Sequence, residues 1–175
     1  MDLYEKLLRF NFEERTFSAP SAGLEVVISV EPKGLEIKFR GYNEKIKILI
    51  EMISKDLRRL PEDITEEMFE LQKTEMKKSL FNALATIASV NYDLTAKTLK
   101  NEYWTVFDKY NEIDKISFET LQKFLEKFYR QSKMQVLIQG NMLRAEADEI
   151  VKVLESELAN EPLDTVRIFM QSQTF

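Results

Sequence analysis

The chain has 175 residues, 44% of them hydrophobic, and carries 25 Lys and Arg against 30 Asp and Glu, a net charge of −5. This length and composition predict one domain, residues 1–175, with a core of its own. The negative charge argues against binding nucleic acid or anionic membranes, and no apolar run is long enough to span a bilayer. Cysteine is absent, which excludes disulfides and thiolate chemistry. This absence is compatible with a reducing compartment without establishing one, and we expect a protein of the cytoplasm.

The first third of the chain predicts a helix followed by a β-hairpin. Apolar residues at helical spacing favour a helix over residues 3–17, with a break near Pro20. Apolar and polar residues then alternate over residues 24–30 and 35–40, as is typical of half-buried strands. Between them, the sequence EPKG places Pro32 and Gly34 where a type I turn prefers them.

The remainder predicts mostly helices. A helix over residues 44–60 is expected to begin at an Asn43 cap and to end at Pro61. A second helix is predicted up to Leu84, after a cap at Asp63 or Thr65, and further helix is predicted across residues 85–116 with a break at 90–93. Two more helices are predicted, one after a Ser117 cap and one from Leu143 to Leu158. Strands are predicted at residues 134–138 and 165–171. This order indicates an α+β fold: a small, mostly antiparallel sheet, made of the hairpin plus one or two further strands, against a layer of helices.

The residue types that most catalytic sites need are missing. A zinc helix of the H-x-x-E-H type needs two imidazoles, and the chain has no histidine. A phosphate loop needs closely spaced glycines, but the four glycines lie far apart. The acidic run at residues 62–67 stands at a helix start, where the helix dipole favours negative charge. We therefore predict no catalytic residue, no metal ligand and no cofactor site. No arrangement of carboxylates in the sequence indicates an enzyme that uses carboxylates alone.

Two weaker signals remain. Gly140 and Asn141 lie between a strand and a helix, where they form either a corner with an Asn cap or a backbone anion site; the cap is the simpler interpretation. The segment RGYNEK at residues 40–45 is interpreted as a strand-to-helix corner.

The segment SAGLEVVISVEPKGLEIKFRGYNEKIKILIEMI, residues 21–53, resembles the third homologous domain of the pitrilysin-type zinc metallopeptidases, in the branch of insulysin and nardilysin. The segment VLIQGNMLRAEA, residues 136–147, is similar to the family's later strand and its Gly-Asn helix entry. The residues that fit the family pattern are Ala22, Gly23, Leu24, Gly34, Gly41, Tyr42, Asn43, Glu44, Lys45, Gly140 and Asn141.

The resemblance implies a non-catalytic domain that contributes to the substrate-enclosing chamber and packs against other domains. Zinc is then expected only in the first domain of a full-length parent enzyme. The family's first strand, expected before the first helix, is missing, which suggests a piece of a longer peptidase or the product of a shortened gene. The implied partners are the parent's other domains, a second copy of the chain or a peptide added at a strand edge. The alternative is a stand-alone interaction or regulatory protein derived from such a peptidase.

Overall fold

The computed structural model describes residues 1–31, 34–100, 103–131, 133–158 and 167–171. A short 3-10 turn, Pro20–Ala22, connects the first helix to the first strand. In chain order the other elements are α1 (Asp2–Thr16), β1 (Leu24–Glu31), β2 (Gly34–Gly41), α2 (Asn43–Asp63), α3 (Glu66–Leu84), α4 (Ile87–Leu99), α5 (Val106–Ile113), α6 (Phe118–Gln131), β3 (Gln135–Gln139), α7 (Arg144–Leu158) and β4 (Arg167–Gln171).

The strands form two separate pairs. β1 and β2 are antiparallel in a register that places Leu24 opposite Gly41 and Glu31 opposite Gly34. β3 and β4 are parallel, with Gln135 opposite Arg167. The α+β class is confirmed, but the described strands do not share the one mostly antiparallel sheet that the sequence suggested. The expected turn residues 32–33 lie outside the described residues.

The core lies between α1, α2, α6 and one face of the hairpin. Leu24 and Ile28 of β1 are buried, and Ile37 and Phe39 of β2 pack against the same cluster. The apolar residues that alternate along both strands therefore lie on the one face of the hairpin that contacts the core, since successive side chains of a strand point to opposite faces. The most deeply buried side chains come from the helices and include Leu7, Leu8, Phe12, Ile53, Leu60, Phe69 and Leu125. Edge-on ring contacts join Tyr4 to Phe124 and Phe128.

Several helix boundaries differ from the predicted ones. α2 continues through Pro61 to Asp63, because a proline in the last turn removes one hydrogen bond at a point where the helix is about to end. Thr65, not Asp63, caps α3, and its side chain accepts the amide of Met68 over 3.2 Å. α4 runs unbroken across residues 90–93, and the interruption lies instead before Ile87. The Ser117 cap forms as predicted, since its hydroxyl accepts the amide of Thr120.

Two helices that follow strands lie side by side and point the same way. Lys47 near the start of α2 contacts Glu149 of α7 over 2.6 Å, and Arg58 lies 4.0 Å from Glu157 farther along both helices. Contacts that advance together along both helices show that α2 and α7 run parallel. Among the described residues, no helix combines the length and apolar character that crossing a membrane requires.

Candidate functional site

Across the described ranges, acidic side chains do not gather into a metal-binding group. No set of three or more His, Cys, Asp or Glu residues is arranged to hold an ion in that part of the chain. Glu66 and Glu67 occupy the first turn of α3, where exposed backbone N–H groups and the helix dipole favour carboxylates. Helix geometry therefore accounts for Glu66 and Glu67. Glu62 and Asp63 lie instead in the last turn of α2, so the prediction that the whole acidic run stands at a helix start was wrong for these two residues.

The fold brings most of the predicted motif residues together at one corner of the hairpin. Leu24 pairs with Gly41, so the segment from Ala22 to Leu24 lies against the segment that begins α2. Gly23 adopts a φ of +70° and Gly41 a φ of +144°, both in the region that favours glycine. The corner is thus a junction of two glycine-dependent turns.

Close packing restricts both glycines, most strictly Gly41, which meets a backbone atom. A Cβ atom at Gly41 would lie 2.5 Å from Cδ2 of Leu24 and 2.6 Å from the backbone oxygen of Gly23. A Cβ atom at Gly23 would lie 2.7 Å from the ring of Tyr42. The Tyr42 ring therefore covers Gly23, while Leu24 is packed against Gly41, and the contact closes the corner from both sides.

The remaining motif residues are placed differently. Tyr42, not Asn43, is the residue that precedes α2, and α2 begins at Asn43 without a side-chain cap bond. The side chain of Asn43 lies outside the described residues, so its predicted cap bond stays a prediction. Lys45 stands in the first turn, where its amide donates weakly to the Tyr42 carbonyl over 3.4 Å. Gly34 lies at the opposite end of the hairpin.

Gly140 and Asn141 lie apart from the corner, after β3. α7 begins at Arg144, three residues beyond Asn141, so Asn141 is not the residue that directly precedes the helix. The carboxylate of Glu146 instead accepts the amide of Leu143 over 2.8 Å. This side chain reaches back to the helix start and satisfies one of the free N–H groups found there.

Sequence reasoning missed two buried carboxylates. Asp56 on α2 accepts a hydrogen bond from the Arg15 guanidinium on α1, and its Oδ2 atom has no partner within the described residues. Burial raises the pKa of Asp56 more than the nearby Arg15 and Arg59 lower it. No sequence signal marks this pair, because its members are 41 positions apart and belong to different helices.

The second buried carboxylate, Asp93, fastens α4 to the segment that opens α5. It accepts the hydroxyl of Tyr103 over 2.8 Å and the amide of Val106 over 2.6 Å. Beside it, Thr105 and Asp108 form a reciprocal capping box at the start of α5. The Thr-x-x-Asp spacing resembles the known helix-start signature and would have located α5.

Comparison with known proteins identifies this scaffold. Residues 1–112 match the model of the middle or third domain of peptidase M16. The chain is 28% identical to human nardilysin over 164 residues, and 23% identical to insulin-degrading enzyme-like 1, peroxisomal, of Arabidopsis thaliana over 182 residues. It is 25% identical to the A-factor-processing enzyme of Saccharomyces cerevisiae over 159 residues.

These alignments cover 93%, 98% and 90% of the present chain, but only 14%, 18% and 15% of the respective relatives. The chain therefore spans less than a fifth of the length of the relatives it matches. The model match extends over more than half of the residues, and it includes the whole glycine corner. The chain belongs to the middle-domain family of the M16 peptidases, in its nardilysin and insulin-degrading-enzyme branch.

Proposed function

We propose that the chain is a non-catalytic structural domain of an insulysin- or nardilysin-like zinc metallopeptidase, in which it forms part of the wall of a substrate-enclosing chamber and packs against the enzyme's other domains. One combination carries the proposal: the chain is a middle domain of a peptidase family, and it contains neither histidine nor cysteine. Peptidase zinc sites need neutral imidazoles. Zinc and catalysis then belong to another part of a longer polypeptide.

The internal construction of the domain supports a scaffold role. Its buried charged groups serve internal contacts, since Asp56 joins α1 to α2 and Asp93 joins α4 to α5. The glycine corner joins the hairpin to α2, and a Cβ atom at Gly41 would overlap the backbone oxygen of Gly23 there. A rigid hairpin and helix layer of this kind suits a chamber wall, which must keep its shape while substrate is held.

The test measures zinc content and peptidase activity of the purified chain. We expect no stoichiometric zinc by elemental analysis and no hydrolysis of a fluorogenic peptide. A full-length insulin-degrading-enzyme-like protein, assayed in the same buffer with added zinc, is the positive control. One tightly held zinc per chain, or hydrolysis that elutes with the chain through successive columns, contradicts the proposal.

A second candidate function is peptide or self-association by strand addition. β1 is paired on one side only among the described strands. A groove of about 360 Å³ lies between α1 and β1 and is lined by Arg9, Phe12, Glu13, Thr16, Val26 and Ile28. An unpaired strand edge beside a groove suits an extended peptide or a second copy of the chain.

Arg9 argues for a limited affinity at this edge, because its guanidinium already donates to the backbone carbonyl of Ile28. The test is fluorescence anisotropy with a labelled peptide that copies residues 34–41, with a scrambled peptide as control. Saturable binding of the copy alone supports this second function. Sedimentation at several concentrations separates peptide capture from self-association.

A further inference from the structure

Helix α4 turns its apolar side chains outward. Ile87, Val90 and Leu94 recur at i, i+3 and i+7 and form one stripe, in which Ile87 is 80% exposed and Leu94 60% exposed. The two side chains that α4 buries are Asp93 and Ala96, on a stripe rotated by roughly 120° from the first at 3.6 residues per turn. The apolar stripe of a surface helix normally faces the core of its own domain. In α4 the arrangement is reversed.

Polar contacts hold α4 in this reversed orientation. Asp93 accepts hydrogen bonds from the Tyr103 hydroxyl and the Val106 amide, and Lys97 lies 3.3 Å from Asp108 at the start of α5. Rotating α4 to bury its apolar stripe would break all of these contacts and expose Asp93. The outward stripe is therefore a fixed feature of the fold.

The outward stripe of α4 itself contains no charged residue, although the half-exposed Lys97 lies beside it. Asp93 and Lys97 are the only charged residues of the helix, and both are engaged by the segment that opens α5. The chain as a whole is 31% charged. Among the described residues, half of the large hydrophobic side chains that remain exposed lie between Phe81 and Phe107. Exposed apolar residues without charge are typical of the core of a protein interface.

We infer that the outer face of α4, defined as Ile87, Val90, Asn91, Leu94 and Thr98, packs against an apolar, uncharged surface of a neighbouring domain in the same polypeptide. This inference rests on the proposed function. The occupant is a domain of the same polypeptide because the family model describes a middle or third domain. The matched relatives also extend far beyond the aligned region, which is 14–18% of their length.

The absence of cysteine permits a direct test by thiol labelling. Leu94→Cys and Ile87→Cys place a thiol on the outer face of α4, and Lys123→Cys places a control thiol on α6, where the side chain is 72% exposed. Each variant is made in the present chain and in the complete gene product that contains it. Labelling by a maleimide reagent is followed by mass spectrometry of the peptide that carries the thiol, and circular dichroism checks the fold of each variant.

All three thiols are expected to react readily in the present chain. In the complete gene product, we expect the two α4 thiols to react at least about tenfold more slowly. A contact that favours the covered α4 face over the uncovered one by about 1.4 kcal/mol reduces the uncovered fraction tenfold. The control thiol is expected to keep its rate. This pattern supports the interface.

Four other patterns overturn it. Equal α4 labelling in both proteins, or equal slowing at all three positions, removes the interface. Slow α4 labelling in the present chain that accelerates on dilution assigns the face to a second copy, and slow labelling that is independent of dilution assigns it to another segment of the same chain. The zinc and peptidase measurements test the scaffold function separately, so either proposal can fail while the other stands.

Discussion

The guanidinium of Arg15, in the last turn of α1, donates to the carboxylate of Asp56, which is buried on α2. The Asp56 side chain is 8% exposed, whereas that of Arg15 is 44% exposed. The contact therefore brings the charge of a half-exposed guanidinium to a carboxylate that has almost no access to water. The other carboxylate oxygen, Oδ2, has no hydrogen-bond partner in the described part of the chain, so Asp56 depends on Arg15.

The first prediction concerns the loss of this partner. Arg15→Ala is expected to lower the free energy of unfolding by about 1–3 kcal/mol, because it leaves a buried acceptor unsatisfied. Arg130→Ala is the matched control, since Arg130 also stands in the last turn of its helix but is exposed. We expect the control to stay within about 0.5 kcal/mol of the wild type. Urea unfolding measures both, and equal effects would refute the dependence of Asp56 on Arg15.

The second prediction is a pH dependence centred on Asp56. Folding raises the pKa of this carboxyl above its ordinary value of 3.8, chiefly by burial. The folded state therefore binds the proton more tightly. The stability that Asp56 contributes is fully present below pH 3.8 and is lost as the pH rises through the raised pKa.

Asp56→Asn removes this titration. The stability of the Asn variant relative to the wild type is therefore expected to be greater at pH 7 than at pH 4. Urea unfolding of both proteins at intervals between these two pH values measures the difference. A difference that does not change with pH, or that shrinks as the pH rises, would show that burial does not control this carboxyl.

The sequence determines the hairpin well because both of its signals are local. The alternation of Leu24, Val26 and Ile28 with polar residues predicts which face is buried, and the structure places that face against the core. Thr65 and Ser117 cap their helices through amides three residues away, and local spacing reveals such contacts. These features needed no information about distant parts of the chain.

The features that sequence reasoning missed depend on tertiary contacts. Periodicity detects the stripe of Ile87, Val90 and Leu94, but it does not show whether that stripe faces the core or the solvent. The direction is determined by Asp93, whose partners lie 10 and 13 positions away in the chain. For the same reason the division of the strands into two pairs was not predicted, because strand alternation is the same in one sheet or two.

The third prediction separates backbone strain from steric overlap at two glycines of the hairpin. Gly34 and Gly41 have nearly the same φ, +140° and +144°. A Cβ atom at Gly34 meets no atom within 4 Å, whereas one at Gly41 overlaps Leu24 and the backbone oxygen of Gly23. Gly34→Ala is therefore expected to cost about 1–3 kcal/mol from strain alone.

Gly41→Ala is expected to cost more than Gly34→Ala, because the overlapping oxygen belongs to the backbone and moves only if the corner opens. Thermal unfolding of the two variants measures the difference. Equal losses of melting temperature would show that the corner shifts to accept the Cβ atom without any further loss of stability. In that case the close packing around Gly41 would not stabilise the junction between the hairpin and α2.

The last prediction concerns Asp93 and the start of α5. Val106 is the first residue of α5, so its amide has no acceptor within its own helix, and Asp93 accepts it over 2.6 Å. The same carboxylate accepts the hydroxyl of Tyr103, whose pKa rises to about 12 through burial and this hydrogen bond. Asp93→Ala leaves both donors without their acceptor and is expected to destabilise the protein by about 1–3 kcal/mol.

The diagnostic readout is amide hydrogen exchange. Exchange at Val106 is expected to accelerate in Asp93→Ala, while the amide of Lys109, which donates to the Thr105 carbonyl over 3.0 Å, keeps its protection. Asp93→Asn retains one acceptor oxygen, so its exchange rate at Val106 is expected to fall between those of the wild type and the Ala variant.

A labelling experiment tests whether Asp93 also fixes the direction of α4. If it does, the thiol of Leu94→Cys will react more slowly in the present chain once Asp93→Ala is added, because the freed helix can turn its apolar stripe inward. Unchanged exchange at Val106 together with unchanged labelling at position 94 would mean that other contacts orient α4.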